Sequence, residues 1–211
     1  MKKKAALIFD CDGVMFDSRQ ANINFYNHIL ARFHLPPLRE EQTAFVHMHT
    51  ADESIRYLFT GSPQLEEAQE YRVRMDYTPF VKDMVLEPGL KDLLGTLKPR
   101  MGLAVATNRS NTIQKVLQLN GLDPYFDIVV SSLDVQTPKP NPECILKILD
   151  FFSIPAAHAF YVGDSPIDGK TARAAGVPFI AYKNRNLDAD YHAGNPGEIL
   201  QIVAGSGLLE T

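Results

Sequence analysis

The chain has 211 residues, 45% of them hydrophobic and 22% charged, and a formal net charge of −4. Such a length supports one core of ordinary size with a small second module, and the composition excludes a disordered chain. The acidic balance, with no basic run longer than Lys2 to Lys4, excludes a nucleic acid footprint, and no apolar stretch approaches the roughly 18 residues of a spanning helix.

The first segment, AALIFD (5–10), is nearly continuously apolar, as in a parallel strand covered on both faces. Its approach, MKKKAALIFDC, imitates a secretory leader, but Asp10 cuts the apolar run well short of the roughly 7 to 15 residues a leader needs. A cytoplasmic protein with no membrane partner is expected. Cys11 and Cys144 are expected as reduced, structural thiols.

Helical periodicity follows in RQANINFYNHILARFHL, where Ile23, Tyr26, Ile29, Leu30 and Phe33 mark one face. Further helical segments around 51–59 and 64–81 are short of large apolar residues. The stretch between the first and second strands is too long for a plain crossover and reads as an inserted helical module. Turn chemistry at Phe16 to Ser18 and Leu86 to Gly89 marks its hinges, and Asp17 is expected to shape the first through a local backbone hydrogen bond. The expected division is an insert at 18–86 and a core at 1–17 and 87–211. Within the insert, His47 and His49 lie two apart and share no helix face, which favours contact with substrate over metal. Arg56, Arg72 and Arg74 read as solvated charges, one of which could meet a substrate carboxylate or phosphate.

Strand and helix alternate from about residue 89. The strands are GLAVAT (102–107), DIVVS (127–131), AFYVGD (159–164) and VPFIAY (177–182). Between them, SNTIQKVLQLNG places Ser110 at an N-cap, with a seam of Ile113, Val116 and Leu117 and Gly121 past the end. NPECILKILDFF places Asn141 at a cap and Pro142 at the first helical position, and SPIDGKTARAAG repeats the grammar with Ser165, Pro166 and Gly176. This is the pattern of an α/β, doubly wound parallel sheet.

Ligands of such sheets bind beyond the carboxyl ends of the strands. There lie Asp10 and Asp12, Thr107 and Asn108, Ser131 and Ser132, and Asp164 with Ser165 and Asp168; Lys139 follows the third strand. Strand geometry puts Asp10 and Asp12 on one side, about 6 to 7 Å apart, with Cys11 pointing away. If Asp164 joins them, each carboxylate pair at roughly 5 Å repels by about 3 kcal/mol at an effective dielectric of 20. Three acids with one nearby lysine need a cation or must take up protons, and hard oxygen donors favour Mg²⁺ over zinc. A carboxylate, a metal, a hydroxyl and an ammonium are also the parts that transfer a phosphoryl group, with a carboxylate able to act as nucleophile. Asp168 equally suits a capping arrangement with Ser165. Arg109, tied to the backbone of Thr107 and Asn108, is a candidate for substrate binding.

DCDGV (10–14), VATN (105–108), Lys139 before Pro140 and GDSPID (163–168) resemble, in order, the four motifs of the haloacid dehalogenase superfamily, and the helical insert resembles its C1 cap. The resemblance implies a Rossmannoid core with Asp10 as nucleophile and Asp12 as general acid and base. It further implies that Thr107 and the Asn108 backbone hold phosphoryl oxygens and that Lys139 offsets charge on Asp10. Mg²⁺ would be held by Asp10, the backbone carbonyl of Asp12 and Asp164, with Asp168 assisting through water or orienting Lys139. An acid at position 12 implies a phosphatase or phosphomutase. VATN resembles the motif of phosphoglycolate phosphatases, although Arg109-Ser110 stands where a lysine and proline are usual. The expectation is a Mg²⁺-dependent hydrolase of a small phosphorylated metabolite, monomeric or homodimeric. Its rivals are a sugar phosphomutase and a noncatalytic phosphoacceptor.

Overall fold

The computed structural model describes residues 3–209; Lys2, part of the basic run, lies outside them. The chain begins with strand β1 (Ala6–Phe9) and a two-residue strand β2 (Phe16–Asp17). Helices α1 (Arg19–Arg32), α2 (Glu40–Met48), α3 (Ala51–Leu58), α4 (Leu65–Arg74) and α5 (Thr78–Val81) lead to β3 (Val85–Leu86). Then follow α6 (Leu90–Leu97), β4 (Gly102–Ala106), α7 (Thr112–Leu119), β5 (Ile128–Val130) and α8 (Glu143–Phe152). The last elements are β6 (Ala159–Gly163), α9 (Pro166–Ala175), β7 (Phe179–Tyr182), β8 (Tyr191–Ala193) and α10 (Pro196–Gly205).

Six strands form a parallel sheet in the order β5-β4-β1-β6-β7-β8. The chain builds outward from β1 in one direction, then returns to its other side at β6. That reversal makes the carboxyl end of β1 the switch point where doubly wound folds open a crevice.

Alternation along the strands sorts the core into two layers. Leu7, Phe9, Leu103, Val105, Phe160 and Val162 face a cluster with buried residues of α6, α7 and α10. Ala6, Ile8, Ala104, Ala106, Ala159 and Tyr161 face α8 and α9. The second face carries small residues, which let helices approach: a β-carbon at Gly102 would lie 2.5 Å from the Phe152 ring. Each large aliphatic side chain withdrawn from water here contributes about 1.5 to 3 kcal/mol. Both cysteines are free and buried.

The first layer continues without a break into the helices between β2 and β3. Aromatic edges supply what aliphatic residues do not: Phe25 meets Tyr77 at 5.2 Å and Phe80 at 5.5 Å, and Phe33 meets Phe59 at 5.3 Å. The buried face of α1 is therefore Phe25, Tyr26, Ile29 and Leu30, with Ile23 only half-buried, because Phe25 claims the interior position.

Three further details depart from expectation. The outgoing and returning chains pair, Phe16 opposite Leu86, as a short antiparallel ladder. Helices α7 and α8 begin later than their sequence signals: Asn111 replaces Ser110 at the cap, and Asn141 accepts from the Glu143 N–H at 3.0 Å one position ahead of the cap at Pro142. Strand β8 lengthens the sheet by one edge. The expected Asp17 bond is present, its Oδ1 accepting from the Arg19 N–H at 3.2 Å. Among the described residues, no helix is long and apolar enough to cross a membrane.

Candidate active site

Asp10 continues the sheet by one bond, its N–H donating to the Val162 carbonyl at 2.9 Å, and the chain then turns sharply as Met15 and Phe16 donate to the Cys11 carbonyl. Cys11 points into the core. Gly13 makes the turn at φ +75°, and a β-carbon there would lie 2.0 Å from Asp164 Oδ2. Only glycine satisfies both the left-handed backbone and the approach of that carboxylate.

Lys139 is 5% exposed, and its three donors are all used. Its Nζ reaches Asp10 Oδ1 at 2.9 Å, Asp168 Oδ1 at 2.7 Å and the Tyr161 hydroxyl at 2.9 Å. Tyr161 in turn donates to Asp168 Oδ1 at 2.8 Å. The other oxygen of Asp168 accepts from Ser165 N–H at 3.1 Å and Ser165 Oγ at 2.6 Å, while the Asp168 N–H donates to Ser165 Oγ at 3.2 Å. Asp168 therefore both caps α9 and anchors the lysine. Asn108 fixes the lysine from the backbone side: its Oδ1 accepts from Lys139 N–H at 3.1 Å and its Nδ2 donates to the Lys139 carbonyl at 3.2 Å. Thr107, 2% exposed, accepts from the Arg109 N–H at 3.1 Å.

Asp12 faces a different cation. Arg109 grips it with two parallel bonds, Nε to Oδ2 at 2.7 Å and Nη2 to Oδ1 at 2.6 Å, and Ser18 donates to the same Oδ1. The guanidinium also donates to the Tyr77 hydroxyl at 3.2 Å and lies 5.1 Å from that ring's centre. Arg109, expected at the substrate, lines the cavity and there holds the carboxylate of Asp12. The side chains that converge are those of Asp10, Asp164 and Asp168, one oxygen of each lying within 4.8 Å of the others.

These environments push the carboxyls apart. Burial, with Asp168 and Asp12 adding repulsion, raises Asp10 to about 7 although Lys139 pulls the other way. Burial and the charges of Asp168 and Asp10 raise Asp164 to about 8. For Asp12, burial acts upward but is outweighed by the charge and hydrogen bonds of Arg109, which hold its pKa below the ordinary value. Asp168 is likewise lowered, Lys139 outweighing burial. Lys139 itself is raised, since its two carboxylates overcome its desolvation.

The cavity over these groups encloses about 70 Å³. Asp10, Asp12, Thr107, Asn108, Lys139 and Asp164 line it from the sheet, and Tyr26, His47, His49, Arg72 and Tyr77 from the helices. His47 Nδ1 lies 3.0 Å from Asn22 Nδ2, and His49 stacks on Phe45 at 3.8 Å. Neither belongs to a metal-holding group among the described residues. Ser131 turns away to Asp134 at 2.5 Å and does not line the cavity. Tyr161 is the contact that sequence reasoning missed. Its strand reads as uniformly apolar, and only its alternation with Ala159, on the face shared with α9, could have signalled it.

The family model for haloacid dehalogenase-like hydrolases matches residues 7–182. The chain belongs to the haloacid dehalogenase-like hydrolases. Among its relatives in this family, a phosphoglycolate phosphatase of Rhodobacter capsulatus is 32% identical over 200 residues, covering 89% of this chain and 90% of that protein. Pyrophosphatase PpaX of Bacillus velezensis is 27% identical, covering 96% and 97%. A crystal structure of a HAD-superfamily hydrolase, subfamily IA, variant 1, from Geobacter sulfurreducens superposes with a TM-score of 0.83 at 42% identity, covering 94% of this chain and 98% of that one. This hydrolase is therefore an enzyme with the family's Rossmannoid core, and the groups at its strand ends are the ones its chemistry has available.

Proposed function

We propose that this hydrolase removes phosphate from a small phosphomonoester with Mg²⁺, through an aspartyl phosphate on Asp10, in the manner of a phosphoglycolate phosphatase. One observation carries the reading: Asp10 ends the central strand at the cavity floor, with the Lys139 ammonium at 2.9 Å. An Asp10 oxygen attacks phosphorus as the ester P–O bond breaks, and Asp12 delivers a proton to the departing alkoxide. Asp12 then takes a proton from water, whose oxygen attacks phosphorus. The Asp10–phosphorus bond breaks, releasing inorganic phosphate and restoring the carboxylate. The Asp12–Arg109 pair is the resting arrangement in this scheme. On binding, Asp12 takes a proton from the monoanionic phosphoester, Arg109 giving up at least one bond as it does so, and the same proton count is restored when phosphate leaves. Thr107 and the Asn108 backbone bind phosphoryl oxygens.

The donor set fits Mg²⁺. All donors are oxygens, burial and mutual repulsion raise Asp10 and Asp164 as they would where a positive charge is missing, and Gly13 leaves the space into which Asp164 projects. Asp10, the backbone carbonyl of Asp12 and Asp164 would hold the ion, which when bound neutralises charge on the phosphoryl oxygens. Asp168 has both oxygens engaged and orients Lys139. Residues 18–86 act as a cap closing over a core of 1–17 and 87–211 to exclude bulk water. The size of the cavity supports a small substrate, and the names of the relatives support phosphoglycolate as the first to try.

Phosphate release from a panel of phosphorylated metabolites with Mg²⁺ tests the reading. Wild type is expected to release phosphate and a folded Asp10→Asn variant to be inert. Unchanged turnover in that variant would refute the nucleophile, and isomerisation of a hexose 1-phosphate without free phosphate would replace the phosphatase by a mutase.

A further inference from the structure

Three arginines of the helical segment are indistinguishable in sequence, and the structure separates them. Arg56 pairs with Asp52 at 2.7 Å and Arg74 with Glu70 at 3.2 Å, all four side chains being at least half exposed. Arg72 instead lines the cavity that Asp10 and Lys139 also line. Its Nε donates to Gln69 Oε1 at 3.1 Å, and Gln69 Nε2 donates to the Asp52 carbonyl at 2.9 Å, so a tether from α3 orients the guanidinium. Among the described residues no carboxylate comes within ion-pair distance of Arg72, and its two terminal nitrogens have no protein acceptor. Burial pulls its pKa down, with Tyr26 and Asp52 only partly compensating. The cavity's buried cations are already committed, Lys139 to Asp10 and Asp168 and Arg109 to Asp12.

A half-buried guanidinium that lines the cavity, is held by a tether and has no carboxylate partner among the described residues keeps its terminal donors available to an anionic ligand. We propose that Arg72 is a specificity residue that binds a second anionic group, a carboxylate or a second phosphate, at the far end of the phosphoester substrate. The inference rests on the phosphatase reading of the site and adds to it the group that meets the second anion of a doubly anionic phosphoester. Arg72, Asp10 and Lys139 line the same cavity, so one ligand can meet both walls. The planar fork of Arg72 suits two parallel bonds to a carboxylate or phosphate.

Steady-state kinetics with Mg²⁺ on three probes test this. 2-Phosphoglycolate carries a carboxylate, inorganic pyrophosphate a second phosphate, and ethyl phosphate no second anion. Arg72→Gln is expected to lower kcat/KM for the preferred doubly anionic probe by about 10- to 100-fold, mainly through KM, with ethyl phosphate changed by no more than about threefold. Arg72→Lys should restore part of the loss. Gln69→Leu, which keeps the guanidinium but cuts its tether, should give a smaller loss of the same selective kind. Loss confined to phosphoglycolate identifies a carboxylate as the ligand, and loss confined to pyrophosphate a phosphate. Equal losses on all three probes, or none on either doubly anionic one, would overturn the role of Arg72 while leaving the hydrolase intact. Wild-type protein inert on every probe would overturn the reading of the site, and the inference with it.

Discussion

The two walls of the cavity are built by different rules. On the sheet side, charged groups are buried and mutually satisfied: Lys139 holds Asp10 and Asp168, Tyr161 and Ser165 complete Asp168, and Arg109 holds Asp12. Opposite, the groups stand on thinly packed helices, α4 burying only Ala68, and the inward-facing Arg72 has no carboxylate partner among the described residues. A parallel sheet covered on both faces leaves its strand ends little freedom, so groups placed there can hold one geometry through a reaction. The helices share an apolar layer with the sheet and meet its strand ends at Arg109 and Tyr77, but among the described residues Arg72 and its tether touch no member of the Lys139 network. In the proposed function the reaction belongs to the first wall, and in the proposed role of Arg72 the choice of substrate belongs to the second.

Removing the ammonium at the centre of the sheet wall is the severest way to break this contrast. In Lys139→Met two buried carboxylates lose their shared cation, which is expected to cost about 3 to 5 kcal/mol in urea denaturation. Phosphate release should fall by at least about 10³-fold. A variant that kept both stability and turnover would mean that this wall is not organised around Lys139.

A gentler perturbation titrates the same wall. With Asp10 raised to about 7 and Asp164 to about 8, the metal-free protein keeps protons there that the unfolded chain has released. The stability these two groups contribute is full below about pH 4, the unfolded carboxyl range, and is lost as pH rises toward their folded values. Asp12 and Asp168, held below the ordinary value, are ionised in both states through that window and add no slope. Mg²⁺ competes with the retained protons, so the gain in Tm on adding it should increase from about pH 5.5 to about pH 8. A gain that is the same at both pH values would separate the cluster from the metal.

How far each wall was legible in the sequence follows from the range of the interactions that make it. Continuous apolar runs announced the parallel strands, and Ser165, Pro166 and Gly176 marked α9 at both ends because cap chemistry is local. Asp10, Lys139 and Asp164 stood out because strand ends converge wherever the sheet forms. The partner of Asp12 did not, being 97 residues away and selected only by folding. Tyr161 was hidden in an apolar run, and the ladders of β2 and β3, two residues each, are too short to show a period. Which of Arg56, Arg72 and Arg74 faces the cavity depends on how α3 and α4 are docked, through aromatic contacts between residues far apart in the chain. Local pattern therefore located the chemistry and left selectivity open.

The smallest test compares like with like, because the same capping box occurs near each wall. Ser165 accepts from Asp168 N–H at 3.2 Å at the start of α9, and Thr50 accepts from Glu53 N–H at 3.2 Å at the start of α3, each acid returning a bond to the cap residue's N–H. Replacement of either cap by alanine should cost about 1 kcal/mol of stability in urea denaturation. Their effects on turnover should differ. Ser165→Ala releases an oxygen of the carboxylate that anchors Lys139, so kcat is expected to fall along with stability. Thr50 does not line the cavity, and Glu53 touches no group at the strand ends among the hydrogen bonds described, so Thr50→Ala should leave kcat within about twofold of wild type. Equal losses of kcat in the two variants, each normalised to its folded fraction, would show that the walls are mechanically one unit and that the division between chemistry and selectivity is drawn in the wrong place.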